Sequence, residues 1–469
     1  PGRTATLTAG DIAITGTSDG ARASLKAPGG TLRLEAVGGA GVVPVSTPSA
    51  TPGSGTLTFD QAELTTSGDG GGRIALRAGA ATLHAAQLLA ENQGASAPTG
   101  GLDLHIAGAL DLDGSWLFSD TTASGGAGDV TIQAGAARLV GSGITSDSWL
   151  PSENPEQVVT GAAGTVRMGI ADDLWVLDGS EIHSIALSAG PAGAVDLSVG
   201  GRLEILNGAQ ILSNTFAAGD AGGVTITAGS ARLEGSGVPG QLTGIASRIN
   251  PGAGGHAGGV TLNVSGLLEI LNGALIDSGT LSSGNAGTVA ITAGDLRIAG
   301  AGSGQVTGIA SHTQSTGDAG TVSIRAGRLR VDGTGSEGVT AITSQASSGS
   351  LGGAGRVTVE VADLLELWGG AIIDSSTGGA GNAGTVAVTA SDLHIDGAES
   401  NQPTGIKSIA APGSTGDANN LSVTVAGLLE LTNGAQINSV RCASTERGRI
   451  SLRKSSVLPD LDQSATRAA

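Results

Sequence analysis

The sequence predicts an all-β chain wound into a single parallel β-helix, a β-solenoid with about 29–36 residues per coil. Three observations carry the prediction. One phrase returns at nearly fixed intervals: GGAGDVTI at Gly125, GDAGGVTI at Gly219, GHAGGVTL at Gly255, GNAGTVAI at Gly284, GDAGTVSI at Gly317 and GNAGTVAV at Gly381. Such a period marks an array whose units bury apolar faces on their neighbours. Between copies, apolar residues alternate with polar ones, and Gly, Asn, Asp and Ser mark the corners. No copy shows helical periodicity, and each of the 82 glycines would cost a helix about 1 kcal/mol.

The Ala of the AG dipeptide, or its equivalent, falls at Ala127, Ala163, Ala192, Ala221, Ala257, Ala286, Ala319, Ala354, Ala383 and Ala418. A short unit is always 29 residues long and a long unit 33 to 36, so two unit types interleave. Each reads as three short strands. In the unit from Ala257 these centre on Val260 and Leu262, on Leu268 and Ile270, and on Leu275 or Ile276. One unit makes one coil, coils stack about 4.8 Å apart, and ten units plus irregular coils make a rod roughly 60–70 Å long.

Three regions follow. Residues 1–120 carry the same strands with looser spacing, as TLRLEA at Thr31, GTLTF at Gly55, GGRIALRAG at Gly71 and GGLDLHIAGALDLDG at Gly100. The Pro- and Ser-rich stretch from Val42 to Gly55 reads as an extruded loop. Residues 121–440 form the regular array. Residues 441–469 are a polar tail with one strand expected at Arg449 to Leu452.

Aromatic residues make up 1% of the chain, which fits a narrow lumen of stacked Val, Ile, Leu and Ala rather than a globular core. The net charge of -18, with lysine only at Lys26, Lys407 and Lys454, argues against a nucleic-acid partner. A lone Cys442 cannot form an internal disulfide. No long apolar run and no charged-then-apolar leader is seen, so neither a membrane span nor a signal peptide is expected. A chain that enters in mid-pattern at ATLTAGDIAITG reads as a mature product or a fragment.

The residue between the two inward positions of the second strand is Arg138, Trp175, Glu204, Arg232, Glu269, Arg297, Arg330, Glu366, His394 and Glu430 in successive units. Short units mostly carry Glu and long units mostly Arg. In a parallel stack these side chains lie above one another, where like charges repel and opposite charges pair. Exposed pairs are worth at most about 1 kcal/mol, so this ladder is expected to set register more than stability. Arg297 and Arg330 break the alternation, and Asp332 is placed to answer them.

Other motifs carry less. GSGVPG (Gly235, Gly237, Gly240) and GTGSEG (Gly333, Gly335, Gly338) match a dinucleotide spacing but open no helix. His84, His105, His183, His256, His312 and His394 are scattered without ligand spacing and read as exposed polar residues, so no metal or cofactor is expected. The GNAG and GDAG turns lack the nine-residue repeat of calcium-binding rolls, and Asn285, Asp318 and Asn382 are expected to stack as turn residues. A polysaccharide-cleaving β-helix needs converging carboxylates and aromatic platforms. Asp172 and Asp173 beside Trp175, or Asp111 and Asp113 before Trp116, come nearest, but neighbours in one strand point apart, so catalysis is not expected.

The GNAG or GDAG turn, the strand TVxIxA, the LLEILNGAxIDS pair and the TGIAS ending together resemble the repeat region of filamentous-haemagglutinin-like exoproteins of the two-partner secretion pathway, over roughly residues 55 to 440. The resemblance implies a right-handed β-helix, export by an outer-membrane transporter, an extracellular or bacterial cell-surface location, and a role in adhesion. The family's amino-terminal secretion domain is not visible, and a carboxy-terminal tether loop would need a second cysteine beside Cys442.

The expected function is therefore a surface-displayed adhesin-like rod that attaches to host cells, glycans or neighbouring cells. The alternative is a structural subunit or spacer of an extracellular filament, with end-to-end or lateral self-association. Long units are expected to extend at one place, between the second strand and TGIAS, which puts their loops on one edge. Binding residues are expected on that edge: Gln241, Gln305, Asn401 and Gln402 in the loops, and Trp149, Glu153, Asn154 and Glu156 in the insertion DSWLPSENPEQVV.

Overall fold

The structure, a computed structural model, describes residues 3–17, 20–38, 53–150, 159–236, 238, 240–400, 402–441 and 450–454. These form no helix and wind into a parallel β-solenoid of about 13 turns with about 31 residues per coil. At about 4.8 Å per turn the rod is roughly 60 Å long. Its strands lie in two sheets, a large one of 22 strands and a small one of 14. Each regular coil gives two segments to the large sheet and one to the small sheet.

The two large-sheet segments often run together. Val260–Leu271, Val289–Ala299 and Val322–Asp332 are single strands that turn the first corner without interruption. Elsewhere they stay separate, as Val357–Val361 and Leu364–Trp368. Glycine at the bend explains the fusion: Gly266, Gly294 and Gly327 stack there, and a Cβ on Gly294 would press on the backbone oxygens of Ser265 and Gly266. Short coils carry one more residue at this bend than long ones, so the register shifts between Val264 and Leu267.

Inside, like residues stack on like. Val260, Val289, Val322, Val357 and Val386 form one column, and Leu262, Ile291, Ile324, Val359 and Val388 another. All are buried in one continuous core whose one aromatic member is Phe59. The coils before residue 121 join the same sheets: Thr4–Ala9 pairs with Thr31–Ala36, which pairs with Arg73–Ala78, which pairs with Gly101–Asp113. Beyond the array, Ile450–Lys454 pairs with Leu421–Val425, so the carboxy-terminal stretch does contribute a strand.

Every letter of the repeated G-x-A-G phrase now has a cause. Both glycines sit directly over their counterparts in the coil below. A Cβ on Gly284 would overlap the Gly255 carbonyl oxygen, and one on Gly287 the Gly258 carbonyl oxygen. The alanine is buried, as at Ala221, Ala319 and Ala383, or half-buried, as at Ala257 and Ala286. The variable residue bonds to the next coil: the Asp318 N–H donates to Asn285 Oδ1 (2.9 Å), the Gly353 N–H to Asp318 Oδ1 (2.8 Å) and the Asp417 N–H to Asn382 Oδ1 (2.9 Å).

The serine ending TGIAS also has a structural job. Ser119, Ser146, Ser184, Ser213, Ser247, Ser278, Ser311, Ser344, Ser375, Ser408 and Ser439 occupy one buried position in successive coils. Ser278 Oγ donates to the Gly258 carbonyl at 2.9 Å and accepts the Gly287 N–H at 2.9 Å. It thereby clips the small sheet to the glycine columns of two successive coils and satisfies backbone groups that the tight corner leaves without ladder partners.

The corners correct the expectation of a single loop edge. At the second corner, short coils use two-residue turns with both residues at positive φ, as Asn207–Gly208, Asn272–Gly273 and Asn433–Gly434. Long coils replace them with residues 235–242, 300–306, 333–339 and 397–403. At the third corner, where the small sheet returns to the large one, three of these same long coils lengthen again, at 250–254, 347–352 and 411–416. Trp149, directly after Ser148, also stands at the third corner, and residues 151–158 lie outside the described residues. Insertions are tolerated wherever the chain leaves a stacked strand, and both corners flanking the small sheet meet that condition.

Candidate functional site

On the outer face of the large sheet, the register stacks the ten ladder positions in successive coils, from Arg138 on Trp175 through Glu204, Arg232, Glu269, Arg297, Arg330, Glu366 and His394 to Glu430. Glu269 lies between two arginines, 3.0 Å from Arg297 Nη1 and 3.8 Å from Arg232 Nη1. His394 pairs with Glu430 at 3.0 Å. Glu204 pairs instead with Arg202 of its own strand, at 2.7 Å. Arg138 reaches back to Asp111 at 3.4 Å. Arg330 turns from Arg297 to Asp332 (2.8 Å) and lies over the Trp368 ring, 5.2 Å from its centroid, while remaining 4.0 Å from Glu366.

Replacing Glu269 with Arg would join Arg232, Arg297 and Arg330 into a run of four stacked arginines and remove both of its pairs. Stability should fall by about 1 kcal/mol, more at low than at high salt. Urea denaturation at two ionic strengths measures it. Equal loss at both would mean the column is only a row of solvated charges.

The outer face of the small sheet is different in kind, because several of its outward polar groups are buried. Asp147 is fully buried and lies 3.1 Å from His183 Nδ1, whose Nε2 lies 3.3 Å from Glu181. Burial alone would lower the His183 pKa, but the charge and hydrogen bond of Asp147, aided by Glu181, raise it to about 10. Asp120, one coil below Asp147, is driven well above the usual carboxylate range by burial and then by Asp147's charge. It accepts hydrogen bonds from Thr145 Oγ1 (2.8 Å), the Asp147 N–H (2.8 Å) and Trp149 Nε1 (3.1 Å). The second oxygen of Asp147 is buried without a hydrogen-bond partner.

Two further buried carboxylates continue this face. Asp277 is held by Arg248 Nε at 2.5 Å and His312 Nδ1 at 3.1 Å; burial would raise its pKa, but the two partners lower it to about 2. Asp374 takes Gln345 and Ser376 as hydrogen-bond donors and lies 3.5 Å from Lys407, yet its burial keeps its pKa above the ordinary value. The expectation that all six histidines are exposed fails at His183. Among the described residues no group of three or more His, Cys, Asp or Glu is arranged to hold a metal ion.

A raised histidine pKa makes stability pH-dependent with a fixed sign. The His183 contribution is complete below about pH 6.5, where the unfolded chain is also protonated, and is lost as pH rises towards 10. The melting temperature should therefore fall across that window, and His183→Gln should flatten the fall. A wild-type curve that is flat from pH 6.5 to 10 would contradict the assignment of charge.

The expected binding residues divide between two edges. Gln241 and Gln305 lie in second-corner loops; Gln241 accepts from Ser236 Oγ (2.7 Å) and Gln305 Nε2 donates to the Val238 carbonyl, which ties two loops together. The Gln402 N–H donates to Ser400 Oγ at 2.9 Å in the equivalent loop. Trp149 stands on the opposite edge of the small sheet. Glu153, Asn154, Glu156, Asn401 and Cys442 lie outside the described residues. Of the carboxylates weighed for catalysis, Asp172 and Asp173 sit in the first-corner bend, where Asp173 accepts the Arg202 N–H at 2.7 Å. Asp111 and Asp113 flank inward Leu112 and so share the outer face, contrary to the expectation that they point apart. Compared with known proteins, the chain matches no family model, no curated protein and no solved structure.

Proposed function

We propose that this chain is an adhesin-like rod displayed outside the cell, with its binding surface on the small-sheet side. One observation carries the reading: coils that keep a strict parallel register have corners of very different length, and the long corners border the small sheet on both edges. A rigid stack that tolerates variation only at such edges is a scaffold for display. The resemblance to filamentous-haemagglutinin-like exoproteins supports a right-handed coil, export through an outer-membrane transporter, and partners on host cells, glycans or neighbouring cells. The net charge of -18 supports a partner other than nucleic acid, and catalysis is no part of the reading. A structural spacer is the second reading, favoured by the ladder and the serine column, which explain cohesion without recognition.

The test replaces residues 235–242 and 300–306 with Asn-Gly, the turn of the neighbouring short coils, and measures attachment of the purified rod to cells. Folding should survive and attachment should weaken several-fold. Attachment that survives, but is lost when large-sheet residues are altered, would overturn this reading in favour of a face-binding or spacer role.

A further inference from the structure

The chain holds seven aromatic residues among 469, and four of them gather on one stretch of the small-sheet side. Trp116 and Phe118 stand on the outer face with stacked rings, 5.6 Å between centroids and 9° from parallel. Above them the register places Gly143, Glu181 and Gln210 in one column and Thr145, His183 and Leu212 in the next. Gly143 is required, since a Cβ there would strike the Trp116 ring.

Trp149 and Phe216 stand at the adjoining third corner. The Trp149, Leu187 and Phe216 N–H groups donate to Thr121, Ser148 and Ala186, so these residues hold one position in three successive coils. Trp149 and Phe216 are thus about 10 Å apart along the rod. They are 40% and 48% exposed, and half-buried Ile185, Leu187 and Leu212 join them into one apolar surface.

This surface is built rather than accidental. The exposed Trp149 ring is held by its Nε1–H bond to buried Asp120 (3.1 Å). Asp120 is fixed in turn by Thr145 and the Asp147 N–H, and Asp147 by the Ile185 N–H (2.7 Å) and His183. Burying two carboxylates and an imidazole is costly, and their arrangement ends on an exposed ring with a fixed orientation.

We propose that this patch binds a neutral, extended glycan, with Trp149 and Phe216 as stacking platforms for sugar rings two coils apart. Two exposed aromatic faces in line along the rod, with apolar Leu187 between them and Trp149 already fixed in orientation, offer stacking surfaces to the apolar faces of successive sugar rings. The chain's charge of -18 selects against acidic glycans. The proposal rests on the adhesin reading and names its ligand class.

The test titrates the full chain with cellohexaose and chitohexaose as neutral probes and with an oligogalacturonate as acidic comparison, reading tryptophan fluorescence and calorimetric heat. At least one neutral hexasaccharide should give a saturable response. Phe216→Ala, which keeps every tryptophan, and Trp149→Ala should each weaken binding about tenfold, while Trp175→Phe on the large sheet leaves it unchanged. Circular dichroism checks that both variants fold. No saturable response to either neutral probe, binding that survives both alanine substitutions, or tighter binding of oligogalacturonate overturns the proposal. If the rod still attaches to cells while the glycan response is absent, this inference falls and the adhesin reading stands.

Discussion

Gly320→Ala should destabilise the rod by about 3 kcal/mol or more. Its added Cβ would overlap the carbonyl oxygen of Gly287 in the coil below, and Gly287 is itself clamped by Ser278. Neither backbone can yield alone, because each glycine supports the next in the same column. The stack must open locally, and in a solenoid a weakened interface divides the array into two cooperative blocks. Denaturant unfolding should therefore show a lower midpoint, a second transition, or both. Gly304→Ala is the control: nothing lies within 4 Å of its Cβ, and its cost should stay within about 0.5 kcal/mol. A loss of that small size at Gly320 would show that the columns are looser than the stacking requires.

The second large effect belongs to the serine column. Ser278→Ala removes one hydroxyl that serves two backbone groups, the Gly258 carbonyl and the Gly287 N–H. Alanine fits the space but leaves both groups without a partner beside the buried corner. The expected cost is about 2 kcal/mol, well above that of an ordinary surface hydroxyl. Ser198→Ala, on the exposed face of the large sheet, should change stability by less than about 0.5 kcal/mol. Chemical denaturation of both variants compares them directly, and equal effects would remove the serine clip from the account.

Much of this fold is legible in the sequence because a solenoid writes its contacts as repeats. The spacing of Ala257 and Ala286 is the length of a coil, and the alternation at Val260 and Leu262 is the lumen. The ladder positions are legible for the same reason: Glu269 and Arg297 face each other because each lies between two inward residues of its own strand. The fusion of the first two strands is not legible, since Gly266 can either interrupt pairing or bend within it. Nor is the division of loops between two corners. Unit length records only their sum, and the added residues at 250–254 are indistinguishable by count from those at 235–242.

The buried carboxylates were missed for a different reason. The column holding Asp277 reads Thr145, His183, Leu212, Ala246, Asp277, Ala310, Thr343, Asp374 and Lys407. No residue type repeats regularly there, so alignment by phrase conceals it. Its neighbours across coils, such as Arg248 and His312 beside Asp277, are 29 and 35 residues away and become partners only through stacking. The serine column was visible as the last letter of TGIAS, but its hydrogen bonds follow only from where the glycines stack.

Spin-label distances along one outer column test the stacking most directly. With Cys442 replaced by serine, cysteines at Thr227, Arg325 and Thr389 lie in one register column, the second and third of them three and five coils from Thr227. The account predicts backbone separations of about 14 Å for 227 to 325 and about 24 Å for 227 to 389, rising by about 4.8 Å per coil. Distances that do not grow in proportion to the number of intervening coils would contradict the parallel stack on which the ladder, the serine column and the glycan patch all depend.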